Sequence, residues 1–238
     1  MLYYQTVSPS LAGLLKELFT FKQLDAFILV GGTSLSLQIG HRKSVDIDLF
    51  TDKAFDIKEV QLFLNGHFEN FTVNWQNKNG FTCTIGQIKL DFFNWHTPFF
   101  YPLVETDGLK LANKLEIAAM KLETIISRKE KKDFIDLACL LKEYTLKELV
   151  IAFRKRYPFL SHTLALESLM AVDLADESIE PDMLVDVQWD TIKLNITNAV
   201  EQFFNDQRQA LEVEKEERIR KAQELLKSRN SSKDGGQV

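Results

Sequence analysis

Cysteine is scarce: Cys83 and Cys139 are the only two in 238 residues. They stand apart, in segments that read as a strand and a helix, so they read as buried small hydrophobes and give no disulfide framework. The four histidines, His41, His67, His96 and His162, show no HExxH or similar ligand spacing, which argues against structural zinc. No stretch reaches the ~18 apolar residues of a membrane span. The opening MLYYQTVSPSLAGLLKELF lacks the basic region and unbroken apolar core of a signal peptide, so a cytoplasmic protein without membrane contact is expected. Positive charge is not in surplus either. With 29 basic against 34 acidic residues and a net charge of −5, no global field attracts nucleic acid; DNA binding is not expected, and any RNA contact must use a local patch. No GK[ST] follows the glycine pair at Gly31-Gly32, which excludes a Walker loop; GxGxxG and internal repeats are also missing.

What is present suffices for a substantial core: 45% hydrophobic and 26% charged residues. After Ser8-Pro9-Ser10, leucines at helical spacing predict a helix over 9–23. Phe27 to Val30 reads as a buried strand, Gly31-Gly32 as its end, and Thr33 to Ile39 as a helix stopped by Gly40. Val45 to Phe50 alternates, with Val45, Ile47 and Leu49 on one side and Asp46, Asp48 and Phe50 on the other. A helix is predicted over 56–68, then strands 71–76 and 81–85 about Asn77-Lys78-Asn79-Gly80, and a strand over 87–93. Past Pro98 and Pro102 the chain turns to long Leu, Ile, Ala, Lys and Glu stretches. This predicts helices over 110–129, 132–143, 146–156, 162–171 and 190–228. The expected organisation is an α/β domain over 1–104, a helical domain over 105–228 and a disordered tail over 229–238. The last helix is charged nearly all round, as for one that projects into solvent or meets a partner.

Three groups of residues carry chemistry. Asp46 and Asp48, at i and i+2 of a strand, would project to one side about 6.5–7 Å apart, and Asp91 adds a third strand carboxylate. Carboxylates that interrupt an apolar strand repel one another and resist desolvation, which a cation relieves; a solvated edge strand is the plain alternative. Gly31-Gly32-Thr33-Ser34 stands where a strand passes into a helix. There, exposed backbone N–H groups and hydroxyls can hold phosphate, although a double glycine also serves a simple tight turn. In a continuous helix over 110–136, Lys110, Lys114, Lys121, Arg128 and Lys132 would form one stripe opposite Leu115, Ala118, Leu122, Ile125 and Ile126, unless a break near 129–131 disturbs the phase. The aromatics Phe92, Phe93, Trp95, Phe99, Phe100 and Tyr101 read as core between domains, with a base-stacking platform as the alternative.

The succession Gly31-Gly32-Thr33, Arg42, Ser44 and Asp46-Ile47-Asp48-Leu49 resembles the polymerase-β-like nucleotidyltransferases, in the GGT…RxSxDIDL form of the AbiEii/AbiGii toxin family. Ala119-Met120-Lys121, Arg128 and Lys132-Asp133-Phe134-Ile135-Asp136-Leu137 resemble that family's AMK…R…KDFxDL motif, and Asp91 resembles the third strand carboxylate. The resemblance covers residues 27–141. It implies an α+β fold, a nucleotidyltransferase domain with a short mixed sheet followed by a helical domain. It further implies two Mg2+ ions on Asp46, Asp48 and Asp91, with Lys121 and Asp133 also catalytic. Gly31, Gly32, Thr33, Ser34, Arg42, Ser44, Lys121 and Arg128 would bind the nucleotide. Asp136 would position Arg128 or Lys132. The implied reaction moves a nucleoside monophosphate from an NTP to an acceptor hydroxyl and releases pyrophosphate. A toxin with a cognate antitoxin is implied, and tRNA is the first acceptor expected. A small-molecule or protein acceptor, a catalytically silent nucleotide-binding module and a DxD glycosyltransferase are the competing readings.

Overall fold

The computed structural model describes residues 1–234, with side-chain surroundings as far as residue 224. Seven strands form one mixed sheet in the order β3-β4-β5-β2-β1-β7-β6. They are β1 (Ile28–Val30), β2 (Ile47–Thr51), β3 (Phe71–Asn77), β4 (Gly80–Ile85), β5 (Ile88–Asn94), β6 (Val104–Thr106) and β7 (Leu109–Leu111). Strand β1 runs antiparallel to β2 and parallel to β7, while β2 runs parallel to β5. Three helices belong to the first half: α1 (Pro9–Leu18), α2 (Gly31–Ile39) and α3 (Ile57–His67). The rest are α4 (Lys114–Ser127), α5 (Lys131–Leu140), α6 (Leu146–Arg156), α7 (His162–Met170) and α8 (Trp189–Asp234).

Side-chain alternation divides the interior into two cores, one on each side of the sheet. Leu29, Ile47, Leu49, Leu90 and Phe92 join Leu11, Leu15 and Leu64 from α1 and α3. Ile28 and Val30 point the other way, into a core built by α4 to α8 around Ile117, Leu122, Phe134, Leu149 and Ile196. The opposite faces of β2 and β5 therefore turn Asp48 and Asp91 toward the helices. Local signals agree with the elements they predict. The Ser8 side chain caps α1 by accepting from the Leu11 N–H at 3.1 Å, Asp56 caps α3, and Thr145 with Glu148 forms a capping box on α6. Both cysteines are buried and free.

Four expectations need correction. Strand β2 starts at Ile47, and Val45 is 71% exposed in the preceding loop; bonds from Ser44 N–H to the Thr6 carbonyl and from Thr33 to the Asp46 carbonyl tie that loop down before the sheet begins. The second half is not wholly helical, because the sheet continues past residue 104 in the β6–β7 hairpin. Its turn residues Asp107 and Gly108 both have positive φ, 53° and 75°, the conformation that an Asp-Gly pair favours. The helix expected over 110–129 is shortened accordingly to Lys114–Ser127; the extended Arg128, with φ −142° and ψ 155°, ends it and keeps α4 and α5 the two separate helices predicted. Finally, α8 runs on to Asp234, through six residues expected in the tail. Nothing from Trp189 to Asp234 is glycine or proline, and the first helix-breaking pair is Gly235-Gly236. Residues 235–238 of the expected tail lie outside the described residues.

Candidate active site

A cleft of about 850 Å3 opens between the helix-facing side of β2 and β5 and helix α4. Asp46, Asp48 and Asp91 line one wall; Arg42, Lys121, Arg128 and Lys132 line the other, and Gly31 and Gly32 form its end.

The acidic wall follows from strand register. Asp48 pairs with Asp91 across the parallel β2–β5 ladder, and Asp46 lies just before β2. Burial, with Asp91 and Asp46 as like-charged neighbours, pushes the Asp48 carboxyl up to about 7. Asp91 is held from both sides: Thr82 Oγ1 donates to its Oδ1 at 2.6 Å, and Lys89 Nζ to its Oδ2 at 2.7 Å. Burial opposes the Lys89 charge, but the three aspartates raise its pKa overall. Because Asp91 is turned to Thr82 and Lys89, the three carboxylates do not close into a ligand cage. Among the described residues no group of three or more His, Cys, Asp or Glu side chains is poised to hold a metal ion. The donor chemistry still suits a hard divalent cation. Mg2+ commonly takes one or two carboxylates and completes its shell with water and substrate phosphate, and the repulsion on Asp48 is the force a cation would relieve.

The glycine pair makes this wall possible. Gly31 has φ +68°, and a Cβ there would stand 2.2 Å from Asp48 Oδ2; a Cβ on Gly32 would stand 2.5 Å from Arg42 Nη2. Carboxylate and guanidinium thus reach the backbone at adjacent residues at the start of α2. Gly31→Ala is expected to cost about 1–2 kcal/mol of backbone strain and to displace Asp48. A thermal melt should detect the first effect and a loss of turnover the second.

The hydroxyls do otherwise than expected. Thr33 is buried, with its Oγ1 bonded to Ser44 Oγ at 2.8 Å and to the Asp46 carbonyl, so it anchors the loop that presents Asp46. Ser34 is buried as well, its Oγ accepting from Gln38 Nε2 at 3.2 Å. Neither lines the cleft, whereas Ser44 does.

The cationic wall is built on two buried carboxylates. Asp136 accepts Arg42 in a fork, from Nε at 2.7 Å and Nη2 at 2.8 Å. It also meets His41 Nε2 at 2.7 Å and Lys121 Nζ at 2.6 Å. Asp133 takes Lys121 Nζ at 2.8 Å and Arg128 Nε at 2.9 Å. Burial disfavours the Asp136 charge, but Lys121 and Arg42 hold the carboxyl well below the usual carboxylate range. These buried aspartates are not part of the cleft lining and fix the cations that are. The assignment of Asp136 to Arg128 or Lys132 is therefore corrected: its partners are Arg42, His41 and Lys121, while Lys132 pairs with Glu130. The single stripe from Lys110 to Lys132 does not form either, since Lys110 donates to the Asp25 carbonyl and Lys114 pairs with Glu143.

Part of the cleft was not foreseen. The segment carrying Ile179, Glu180, Pro181 and Asp182 closes one rim and is held by the Lys43 N–H donating to the Asp182 carbonyl at 2.8 Å. At the other rim, Phe50, Trp95 and Tyr157 line the cleft, and the Arg156 guanidinium stacks 3.7 Å from the Trp95 ring centroid while forking onto Glu116 at 3.0 and 2.7 Å. The aromatic run thus divides, with Phe92 buried in the core and Trp95 at the cleft. Glu116 and Arg156 are 40 residues apart, and no local pattern announces such a pair.

A family model described as nucleotidyl transferase AbiEii toxin, type IV TA system, matches residues 13–213. The chain belongs to the AbiEii nucleotidyl transferase toxin family. An uncharacterized protein of Aquifex aeolicus is 30% identical over 192 residues, 76% of this chain and 89% of that protein. Two solved structures share the fold at 15% identity and a TM-score of 0.54 each. JHP933 of Helicobacter pylori is covered over 98% of its chain and 87% of this one. MenT4, the nucleotidyltransferase toxin of Mycobacterium tuberculosis, is covered over 82% of its chain and 79% of this one. As an AbiEii-family member the chain is a nucleotidyltransferase, and both sequence motifs, residues 31–48 and 119–137, lie inside the matched span.

Proposed function

We propose that this AbiEii-family nucleotidyltransferase is magnesium-dependent and moves a nucleoside monophosphate from an NTP to the terminal hydroxyl of a tRNA. In this reading it acts in the cytoplasm as the toxin of a pair whose antitoxin restrains it. The observation that carries the reading is the meeting of two charge groups: Asp46, Asp48 and Asp91 line the same cleft as Arg42, Lys121 and Arg128. Bound Mg2+ would supply charge neutralisation and oxygen polarisation at Asp46 and Asp48, with Asp91 the further ligand once it leaves Lys89.

The chain's own groups divide the remaining work. The backbone at Gly31 and Gly32, beside the start of α2, offers N–H donors to phosphate oxygens. Arg42, clamped by Asp136, and Lys121, shared by Asp133 and Asp136, meet charge that grows on the departing pyrophosphate without needing to reorganise. Arg128 is half exposed and can swing toward the triphosphate while Asp133 keeps it near. Asp133 and Asp136 are positioning residues in this scheme. The type IV toxin–antitoxin description of the family supports an antitoxin partner. No helix among the described residues is long and apolar enough to cross a membrane.

The direct test incubates the protein with each α-labelled NTP and total tRNA, with and without Mg2+. Label should reach the RNA only with the ion present; label on a small molecule or on protein instead would sink the RNA acceptor. Since Asp48 must lose its proton to take a cation, the half-saturating Mg2+ concentration should fall as pH rises through about 7. A flat dependence between pH 6 and pH 8 would contradict that role.

A further inference from the structure

A second depression shares Tyr157 with the catalytic cleft. It sits where α6 ends and α7 begins, and Arg154, Lys155, Leu160 and His162 contribute to it. Among the described residues no carboxylate lines it. Arg154 and Lys155 are exposed, on a chain whose net charge is −5. Next to them Phe159 is 99% exposed, an aromatic ring standing wholly in solvent. The catalytic scheme uses none of these four side chains, Arg154, Lys155, Phe159 and His162.

Cations that track a backbone, interleaved with an aromatic face, are the two elements by which proteins hold single-stranded nucleic acid. A duplex offers its bases no access to such a ring; an unpaired end does. We propose that this surface holds the single-stranded end of the acceptor RNA, with Phe159 stacking on a base, Arg154 and Lys155 on phosphates, and the strand passing Tyr157 into the cleft. The inference rests on the RNA-acceptor reading above and adds the surface that selects it. Charge argues for this occupant, because a protein partner covering Ile151 and the neighbouring Leu164 would need no exposed Arg154 and Lys155 beside a depression that no carboxylate of the described residues lines, where Lys155 Nζ lies 4.9 Å from the Phe100 ring centroid.

Equilibrium binding of a fluorescein-labelled tRNA transcript, followed by anisotropy over a salt series, tests it on the full chain. Phe159→Ala should weaken binding about tenfold, as expected for loss of one stacked base. The double variant Arg154→Ala with Lys155→Ala should flatten the slope of log K against log salt by about 1.4, two single-strand phosphate contacts. NTP binding and melting temperature should stay unchanged in both. Equal tRNA binding by wild type and variants overturns the surface while leaving RNA transfer standing. Failure of the wild type both to bind and to label tRNA overturns surface and acceptor together. Displacement by polyglutamate as effective as by RNA of equal charge would mark a generic anion surface and also overturn the assignment.

Discussion

Asp46→Asn and Asp48→Asn should each cut nucleotidyl transfer by at least a thousandfold, about 4 kcal/mol of transition-state stabilisation, while the protein stays folded. Amide replaces carboxylate at nearly constant shape, so the packing of β2 against β5 is kept and only charge is removed. For Asp48 the stability effect has the opposite sign to the catalytic one. Its folded pKa, about 7, lies above the value of an unfolded aspartate, so the folded protein retains a proton that the unfolded chain gives up. Stability from this group is complete below the unfolded pKa and is lost as pH rises through about 7. In metal-free buffer at pH 8, Asp48→Asn should therefore melt no lower than wild type, and higher if the repulsion with Asp91 and Asp46 is fully relieved. Label transfer and melting curves read the two effects separately. If both variants turn over at the wild-type rate, the acidic wall is not the reacting centre.

The second large effect is expected at Asp136. Asp136→Ala removes a fully buried anion that Arg42, Lys121 and His41 all contact, and leaves Arg42 and Lys121 short of a counter-charge. Breaking a buried pair from one side costs about 3–5 kcal/mol. Urea unfolding should show a loss of that size, with turnover falling because two cleft cations lose their anchor. Asp136→Asn, which preserves shape and some hydrogen bonding, should lose less stability than alanine yet still lower turnover. Since the folded pKa of Asp136 lies well below that of an unfolded aspartate, the stability it confers is present above the unfolded pKa and disappears as pH falls toward the folded one. An Asp136→Ala protein within about 0.5 kcal/mol of wild type, the range of an ordinary surface change, would deny the residue its anchoring role.

The parts of this molecule that could be read from sequence are those governed by short-range rules. Alternation at Ile47, Asp48, Leu49 and Phe50 places a carboxylate on the face away from Ile47 and Leu49, and the capped starts of α1, α3 and α6 appear where their Ser, Asp and Thr stand. Residues 31–48 and 119–137, the segments carrying the family resemblance, meet at one cleft. What escaped depends on partners far away in the chain. Thr33 looked like a phosphate donor until its acceptors, Ser44 and the Asp46 carbonyl, were known. Helical phase alone put Lys121 on one stripe with Lys110 and Lys132; the extended residue Arg128 separates α4 from α5, and two buried aspartates hold Lys121 inside. The β6–β7 hairpin was legible in principle, since Val104, Thr106, Leu109 and Leu111 flank an Asp-Gly pair, but the surrounding helical composition masked eight residues of strand and turn. Glu116 with Arg156 offered no local signal at all.

Arg42 and Asp136 stand 94 residues apart in the chain, and that separation bears on synthesis. A polypeptide emerging from the ribosome as far as β5 already carries Asp46, Asp48 and Asp91, yet Lys121, Arg128 and the aspartates that hold them do not exist until α4 and α5 have been made. Such a distant contact closes late, because the loop entropy must be met before the ion pairs reward it. The partly made chain thus meets its three acids with Arg42 and Lys89 but without Lys121 and Arg128, and its reactive cleft comes into being only when the second half arrives.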